Sequence, residues 1–272
     1  MFMNSSFKLI SLNIALFVEN NKKVAQFLEE QKPDIICLQE VGRSDDKNTH
    51  AGFISKKTVD EATLDLHYAF YSPNMILKGF TRGNFHGKDE FKIDFNGFIE
   101  TGNYTKSKFE ILKGESVFIQ NHFAYVTDTS KWPAEDFRAM QVVDLRIDDD
   151  KSLRLINYHG IWTRDKQGNE LSRSACEKIN EIAQEVSYPV IICGDFNLFP
   201  DTHSMKVLNE NFVSLVDKNN ISSTRPKANE LSHHERNVVD YIFVDKGMRV
   251  DDFKVIENDV SDHLPLVLSF QI

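Results

Sequence analysis

Apolar residues in this chain fall into short continuous blocks and into longer stretches that recur at helical spacing, and the two kinds alternate. Residues 7–14 form the first block and predict a strand. Residues 20–31 follow as a helix with Val24, Phe27 and Leu28 on one face, stopped by Pro33. Residues 34–40 are a second buried strand, so the opening reads as strand, helix, strand, with the two strands as parallel neighbours. Further on, Ala175, Ile179, Ile182 and Val186 lie at helical spacing within residues 170–186. That helix delivers the chain to Val190-Ile191-Ile192-Cys193-Gly194-Asp195-Phe196-Asn197, an apolar run bounded by Pro189 and Gly194. Such a run predicts a strand buried on both faces, and it ends abruptly in a carboxylate and an amide.

Other strands are predicted at residues 116–127, 140–147 and 153–159, the last two joined as a hairpin across Asp148-Asp149-Asp150, and at 238–244, 249–256 and 264–272. Helices are expected at 58–66 and 204–209, a short strand at 68–71, and a polar loop at 219–237. Residues 72–113, rich in Gly, Asn, Lys and Phe, lack a sustained period and read as loops and short hairpins. These strands are more than one sheet comfortably holds, and two sheets packed face to face with helices outside would bury them all. The fold class is therefore α/β (α+β). With no internal repeat or linker, residues 1–272 read as one domain.

With 272 residues and 41% hydrophobic content the chain can build a proper core. A formal charge of -9 and a pI near 5.5 exclude a broad basic surface for duplex nucleic acid, though not a local basic groove. Residues 1–6 lack a charged-then-apolar signal region, and no apolar run approaches the roughly 20 residues that span a bilayer. A cytoplasmic monomer is the expectation. Cys37, Cys176 and Cys193 are unclustered and read as reduced core thiols.

The candidate chemistry lies at strand ends. Asn13 closes the first strand, Glu40 the second, His159 the middle hairpin, and Asp195 with Asn197 the central strand; Asp240 opens a later strand, and Asp262-His263 precedes the last. Each has a plain structural reading: Gly-Asp-x-Asn is a good turn, Glu40 a surface acid, His159 a core histidine, Asp262 a cap. As an ordered set, Leu38-Gln39-Glu40, Asn157-x-His159-Gly160, Gly194-Asp195-Phe196-Asn197, Asp240-Tyr241-Ile242-Phe243 and Ser261-Asp262-His263-x-Pro265 resemble the signature of the endonuclease/exonuclease/phosphatase superfamily across residues 11–268.

That resemblance implies a deoxyribonuclease I-like four-layer sandwich, two mixed β-sheets between helices, that hydrolyses phosphoester bonds with Mg2+ or Mn2+. Hard carboxylate and amide oxygens suit those ions and not zinc. It implies Glu40 as principal metal ligand, with Asn13 and Asp262 completing the sphere. Asp195 would be the base that activates water, and Asn197 would hold the phosphate or orient that base. His159 and His263 would donate to phosphate oxygens, with Asp240 keeping His263 protonated.

The histidine form of Asn157-Tyr158-His159-Gly160 resembles the deoxyribonuclease, deadenylase and sphingomyelinase branches and not the abasic-site endonucleases. Two departures touch substrate choice. Asn237 and Val238 stand where many members carry Arg or Lys, with Arg236 upstream, and Asn96-Gly97-Phe98-Ile99 replaces the usual Gly-x-Ala-Ile-Leu-Ser. Arg82, Lys88, Lys92, Lys106 and Lys108 alternate with Phe80, Phe85, Phe91, Phe95 and Phe98, a mixture that either covers a core edge or stacks and neutralises substrate. With Arg82 and Trp162 as candidate substrate contacts, the expected partner is a phosphodiester, short or single-stranded nucleic acid or a nucleotide-like diester. The alternatives are a phospholipid or inositol phosphate, as in a sphingomyelinase, and an inactive binding protein of the same fold.

Overall fold

The computed structural model describes residues 6–16, 21–49, 54–80, 95–126, 136–229 and 236–272. In chain order these form β1 (Phe7–Asn13), α1 (Asn21–Gln31), β2 (Ile35–Arg43), α2 (Ser55–Ala62), β3 (Tyr68–Phe80), β4 (Phe95–Ser107), β5 (Glu110–Gln120), β6 (Ala124–Val126), β7 (Arg138–Arg146) and β8 (Ser152–His159). There follow α3 (Glu170–Gln184), β9 (Val190–Asp195), α4 (His203–Asn209), β10 (Phe212–Ser214), α5 (Leu215–Lys218), a 3-10 turn (Lys227–Asn229), β11 (Asp240–Asp245), β12 (Arg249–Val255) and β13 (Leu266–Gln271).

Alternation along the strands sorts side chains into layers. In β1 and β2, Leu9, Ile35 and Cys37 enter the core between the two sheets, whereas Ile10, Leu12, Ile36 and Leu38 meet Val24, Phe27 and Leu28 of α1 and Val59 of α2. On the far side, Ala175, Cys176, Ile179 and Ile182 of α3 and Met205 and Leu208 of α4 join the core of β7, β8 and β9. Four layers result: helices, a seven-stranded sheet ordered β12-β13-β1-β2-β4-β3-β6, a six-stranded sheet ordered β10-β11-β9-β8-β7-β5, and helices. Both sheets are mixed, since β1 runs parallel to β2 and β8 to β9 while their other neighbours are antiparallel. The three cysteines are buried and free. Among the described residues no helix is long and apolar enough to cross a membrane.

The main correction falls on residues 72–113. Residues 81–94 lie outside the described residues, but the described parts are not loops: β3 and β4 are long antiparallel strands, and β4 also pairs with β2. Their pattern escapes hydrophobic periodicity because the inward face of β4 is polar. Asn103 Nδ2 donates to Ala139 O at 3.0 Å and to Asn157 O at 3.2 Å, and Thr105 Oγ1 donates to Gln141 Oε1 at 2.8 Å, so the positions that pack between the sheets carry hydrogen bonds in place of methyl groups. Phe98 is exposed, while Lys106 is buried against Asp60 at 3.2 Å. Arg82, Phe85, Lys88, Phe91 and Lys92 lie outside the described residues, as do the side chains of Phe80 and Phe95. The helix expected at 58–66 begins earlier, at Ser55, and the strand expected at 116–127 begins at Glu110 and breaks after Gln120. The short β10 and α5 carry too few residues to show a period.

Candidate active site

Strand register gathers the polar ends. In the six-stranded sheet His159 pairs with Asp195 and Asp195 with Asp240, so a histidine and two carboxylates lie in one row. In the facing sheet Asn13 pairs with Gln39, one residue before Glu40. Plain alternation would leave Glu40 on the helix-covered side with Ile36 and Leu38. A bulge between Leu38 and Val41, with a left-handed φ of 57° at Glu40, re-aims it. Its Oε1 comes to 3.7 Å from His159 Nε2 of the other sheet. Gln39 Nε2 donates to Asn157 Oδ1 at 2.7 Å, tying the strand that carries Glu40 to the strand that carries His159.

Asp195 Oδ2 is the centre of the cluster. Asn13 Nδ2 lies 3.1 Å from it, Asn197 Nδ2 3.3 Å, His263 Nε2 3.6 Å and His159 Nε2 3.7 Å. The other oxygen, Oδ1, accepts the Asn197 N–H at 2.9 Å. The segment is therefore an Asx turn whose free carboxylate oxygen faces the site, so the turn reading and the chemical reading describe the same atoms. Asn197 holds φ 56°, a left-handed conformation that Asn tolerates. Glycines let the strand ends close: a Cβ on Gly194, at φ 137°, would lie 1.9 Å from Tyr158 O, and one on Gly160 2.1 Å from Phe196 O.

The last loop completes the ring. Ser261 Oγ donates to Asn13 O at 2.7 Å, and His263 Nδ1 lies 2.9 Å from both Asp240 oxygens. Thr224 Oγ1 donates to Asp240 Oδ2 at 2.7 Å. Burial alone would drive the His263 imidazole toward neutrality, and Arg225 beside it pushes the same way. The carboxylates of Asp240, Asp195 and Asp262 outweigh both and lift its pKa to about 9. Burial likewise pushes Asp195 up, but the positive charge around it, His263 foremost and Lys166 with it, holds it well below the usual carboxylate range. His159 goes the other way: burial, then the Arg138 guanidinium, keeps it neutral. Arg138 Nη1 lies 2.8 Å from His159 Nδ1, and because a guanidinium only donates, that contact needs a lone pair on the ring.

Glu40 and Asp262 form the oxygen-rich side, both partly open to solvent. Burial, and then the charge of Asp262, raises the pKa of Glu40, so the two carboxylates repel across a gap that a hard divalent cation would relieve. The donor set fits such an ion. Asp195, Asp240 and His263 also offer ligand atoms within 4.8 Å of one another. A protonated imidazole has no lone pair to give a metal, so the charge state of His263 favours the Glu40 side. Asn13 turns its amide nitrogen to Glu40 Oε1 at 3.1 Å and to Asp195, while its oxygen accepts the Ala15 N–H at 3.0 Å. In this geometry it bridges the two carboxylates.

The structure thus brings together Asn13, Glu40, His159, Asp195, Asn197, Asp240, Asp262 and His263. Trp162 is half-buried, with Lys166 Nζ 4.9 Å from its ring centre, and Arg82 lies outside the described residues. Three cations join the cluster that sequence reasoning passed over: Arg138, paired with Asp136 at 2.7 Å; Lys166, on Asn197 Oδ1 at 2.6 Å; and Arg225, paired with Asp262 at 2.9 Å. They sit at a strand start, in a turn and in the polar loop, positions where one basic residue carries no pattern. Arg236 is engaged elsewhere, with Asp217 at 2.7 Å and Ile221 O at 3.0 Å.

Facing mixed sheets thus gather carboxylates, amides and histidines at one end, a set of groups equipped to bind and hydrolyse a phosphoester. The chain belongs to the Endonuclease/Exonuclease/phosphatase family, whose model matches residues 10–263. Among solved structures, the endonuclease/exonuclease/phosphatase from Bacteroides vulgatus superposes with a TM-score of 0.69 at 16% identity, over 98% of this chain and 99% of that one. That from Beutenbergia cavernae gives 0.69 at 16%, over 98% and 72%. Truncated Caenorhabditis elegans TDP2 gives 0.64 at 16% identity, over 98% of each chain. Among curated proteins no relative matches.

Proposed function

We propose that the protein is a Mg2+- or Mn2+-dependent phosphodiesterase acting on a nucleic acid or nucleotide-like diester. The observation that carries this reading is Asp195 Oδ2, ringed by four nitrogens at 3.1 to 3.7 Å from separate parts of the chain. A carboxylate held anionic beside protonated and neutral donors is placed to orient the attacking water and, although its lowered pKa makes it a weak base, to receive the proton as the P–O bond forms. Attack on phosphorus breaks the opposite ester bond and yields a phosphomonoester and an alcohol. Imidazolium at His263, the N–H of neutral His159 and the Asn197 amide would stabilise charge growing on the phosphate oxygens. Glu40 and Asp262 would hold the cation, which supplies Lewis-acid neutralisation of the phosphate when bound.

The nucleic-acid reading draws on the far end of β2. Arg43, three residues after Glu40 and paired with Glu100 at 2.6 Å, lines a cavity of about 350 Å³ with Phe98, Tyr125 and the carboxylates of Asp45, Asp46 and Glu100. Phe98 is 39% exposed and Tyr125 67%, with their rings 6.5 Å apart. Lys78 Nζ lies 5.3 Å from the Phe98 ring. The exposed aromatic faces suit stacking by unstacked bases, while the carboxylates of this pocket repel phosphates, so the backbone would run outside it. The test is turnover of single-stranded DNA, duplex DNA, RNA, bis(p-nitrophenyl) phosphate and sphingomyelin with Mg2+ or Mn2+. Preference for single-stranded or short nucleic acid is expected; turnover confined to sphingomyelin would replace the substrate class, and turnover of none would remove the enzymatic reading.

A further inference from the structure

Lys166 is built into the site in a way that surface lysines are not. It lies in the turn after β8, only 5% exposed, with a left-handed φ of 57°. Long side chains avoid that conformation, and it persists where surrounding contacts over-determine it. Here they do: the Lys166 N–H reaches Thr163 O at 3.3 Å, and Lys166 O accepts the Phe199 N–H at 2.9 Å, stapling the turn to the segment that follows Asn197. The side chain passes beside Trp162, 4.9 Å from the ring centre to Nζ, and ends on Asn197 Oδ1 at 2.6 Å. Among the described residues no carboxylate lies within ion-pair distance of it, whereas Arg138 and Arg225 each have one.

A free side-chain amide can present either end to a ligand. An ammonium can only donate, so it fixes the Asn197 oxygen toward itself and the nitrogen toward Asp195 Oδ2 at 3.3 Å and Gly160 O at 3.4 Å. We propose that Lys166, braced by Trp162, is a positioning residue that locks the Asn197 amide with its nitrogen facing Asp195. The inference rests on the phosphodiesterase reading for its kinetic consequence and on geometry alone for the lock. Burial, outweighing the pull of Asp195, lowers the Lys166 pKa to about 8, as expected for an ammonium seated against a neutral amide.

The experiment is a double-mutant cycle with Lys166→Met, Lys166→Arg and Asn197→Ala, read on bis(p-nitrophenyl) phosphate with saturating Mg2+. Lys166→Met should lower kcat about 10- to 100-fold with KM within about threefold, since it frees Asn197 to turn out of the orientation that serves the transition state. Lys166→Arg should recover much of that loss. In the Asn197→Ala background Lys166→Met should cost no more than about threefold further, because two residues acting through one contact are not additive. Losses that multiply, or an unchanged kcat, would overturn the lock. The lock is also read without turnover, from the Asn197 side-chain NH2 signal in 15N NMR spectra. That signal should shift and exchange faster in Lys166→Met and stay in place in Lys166→Arg. An Asn197 signal indifferent to Lys166→Met overturns the proposal whatever the substrate, while an inactive wild type with the expected shift would count against the diester reading alone.

Discussion

At Glu40 a single residue carries two costs, a left-handed backbone and a carboxylate set near Asp262. Both are relieved or justified if a cation sits between the carboxylates. Glu40→Gln should therefore act mainly on metal dependence. The Mg2+ concentration giving half-maximal turnover should rise about tenfold or more, as for loss of a charged ligand, while a denaturation midpoint measured without metal stays the same or rises. The same residue shows how far sequence reading reaches. Leu38-Gln39-Glu40 marks the position, but alternation points its side chain the wrong way, and only the bulge brings it to His159. Asp195, Asp240 and His263 were legible because their motifs combine residue types that chemistry needs. Arg138, Lys166 and Arg225 were not, because isolated basic residues serve equally well on a solvated surface.

Elements meet the site through their ends, so its precision depends on how closely β8 and β9 approach. Gly160→Ala would place a methyl 2.1 Å from Phe196 O, which is backbone and has little room to move. A loss of about 2–4 kcal/mol in denaturant unfolding is expected, within the range of overpacked positions. Between the sheets, Asn157 takes Gln39 Nε2 and gives to Leu38 O at 3.2 Å and Gln141 Oε1 at 3.1 Å. Asn157→Leu strands these buried groups and should cost about 2–4 kcal/mol despite adding apolar volume. The same network explains why β4 was invisible to hydrophobic periodicity, whereas β1, β2 and β9 were plain. Their inward positions are Leu9, Cys37 and Ile191, but those of β4 are Asn103 and Thr105.

At the helix-covered face, α2 is tied to β4 by Asp60, which meets Lys56 at 2.7 Å, Lys106 at 3.2 Å and the Tyr104 hydroxyl. Burial works against the Asp60 carboxylate, but Lys56 and Tyr104, then Lys106, outweigh it and lower its pKa. A carboxyl with a lowered native pKa stabilises the fold above its unfolded value of about 3.9 and loses that contribution as pH falls through the native value. Asp60→Asn should therefore melt below wild type at pH 7, and the gap should shrink on acidification below about pH 4. A gap of equal size at pH 7 and pH 3 would show that Asp60 acts through packing alone.

For the whole molecule, the two sheets work as a vice: the seven-stranded sheet supplies Asn13 and Glu40, the six-stranded sheet His159, Asp195 and Asp240, and the last loop crosses to bring Asp262 and His263. Apart from the β1–β2 and β7–β8 neighbours, strand order and register were not readable from the sequence, since they are set by contacts between distant segments, but the set of strand ends was. The proposed function is that Asp195, held as an anion at the meeting of the sheets, drives hydrolysis of a phosphodiester beside a hard cation. It is tested most directly by the steady-state turnover of bis(p-nitrophenyl) phosphate by wild type and Asp195→Asn, each with saturating Mg2+ and with chelator. Wild-type turnover should vanish with chelator and return with Mg2+ or Mn2+, and Asp195→Asn should retain the wild-type fold by circular dichroism but lose roughly a hundredfold or more in kcat. Turnover that survives chelation, or a folded Asp195→Asn protein that turns over at the wild-type rate, would contradict it.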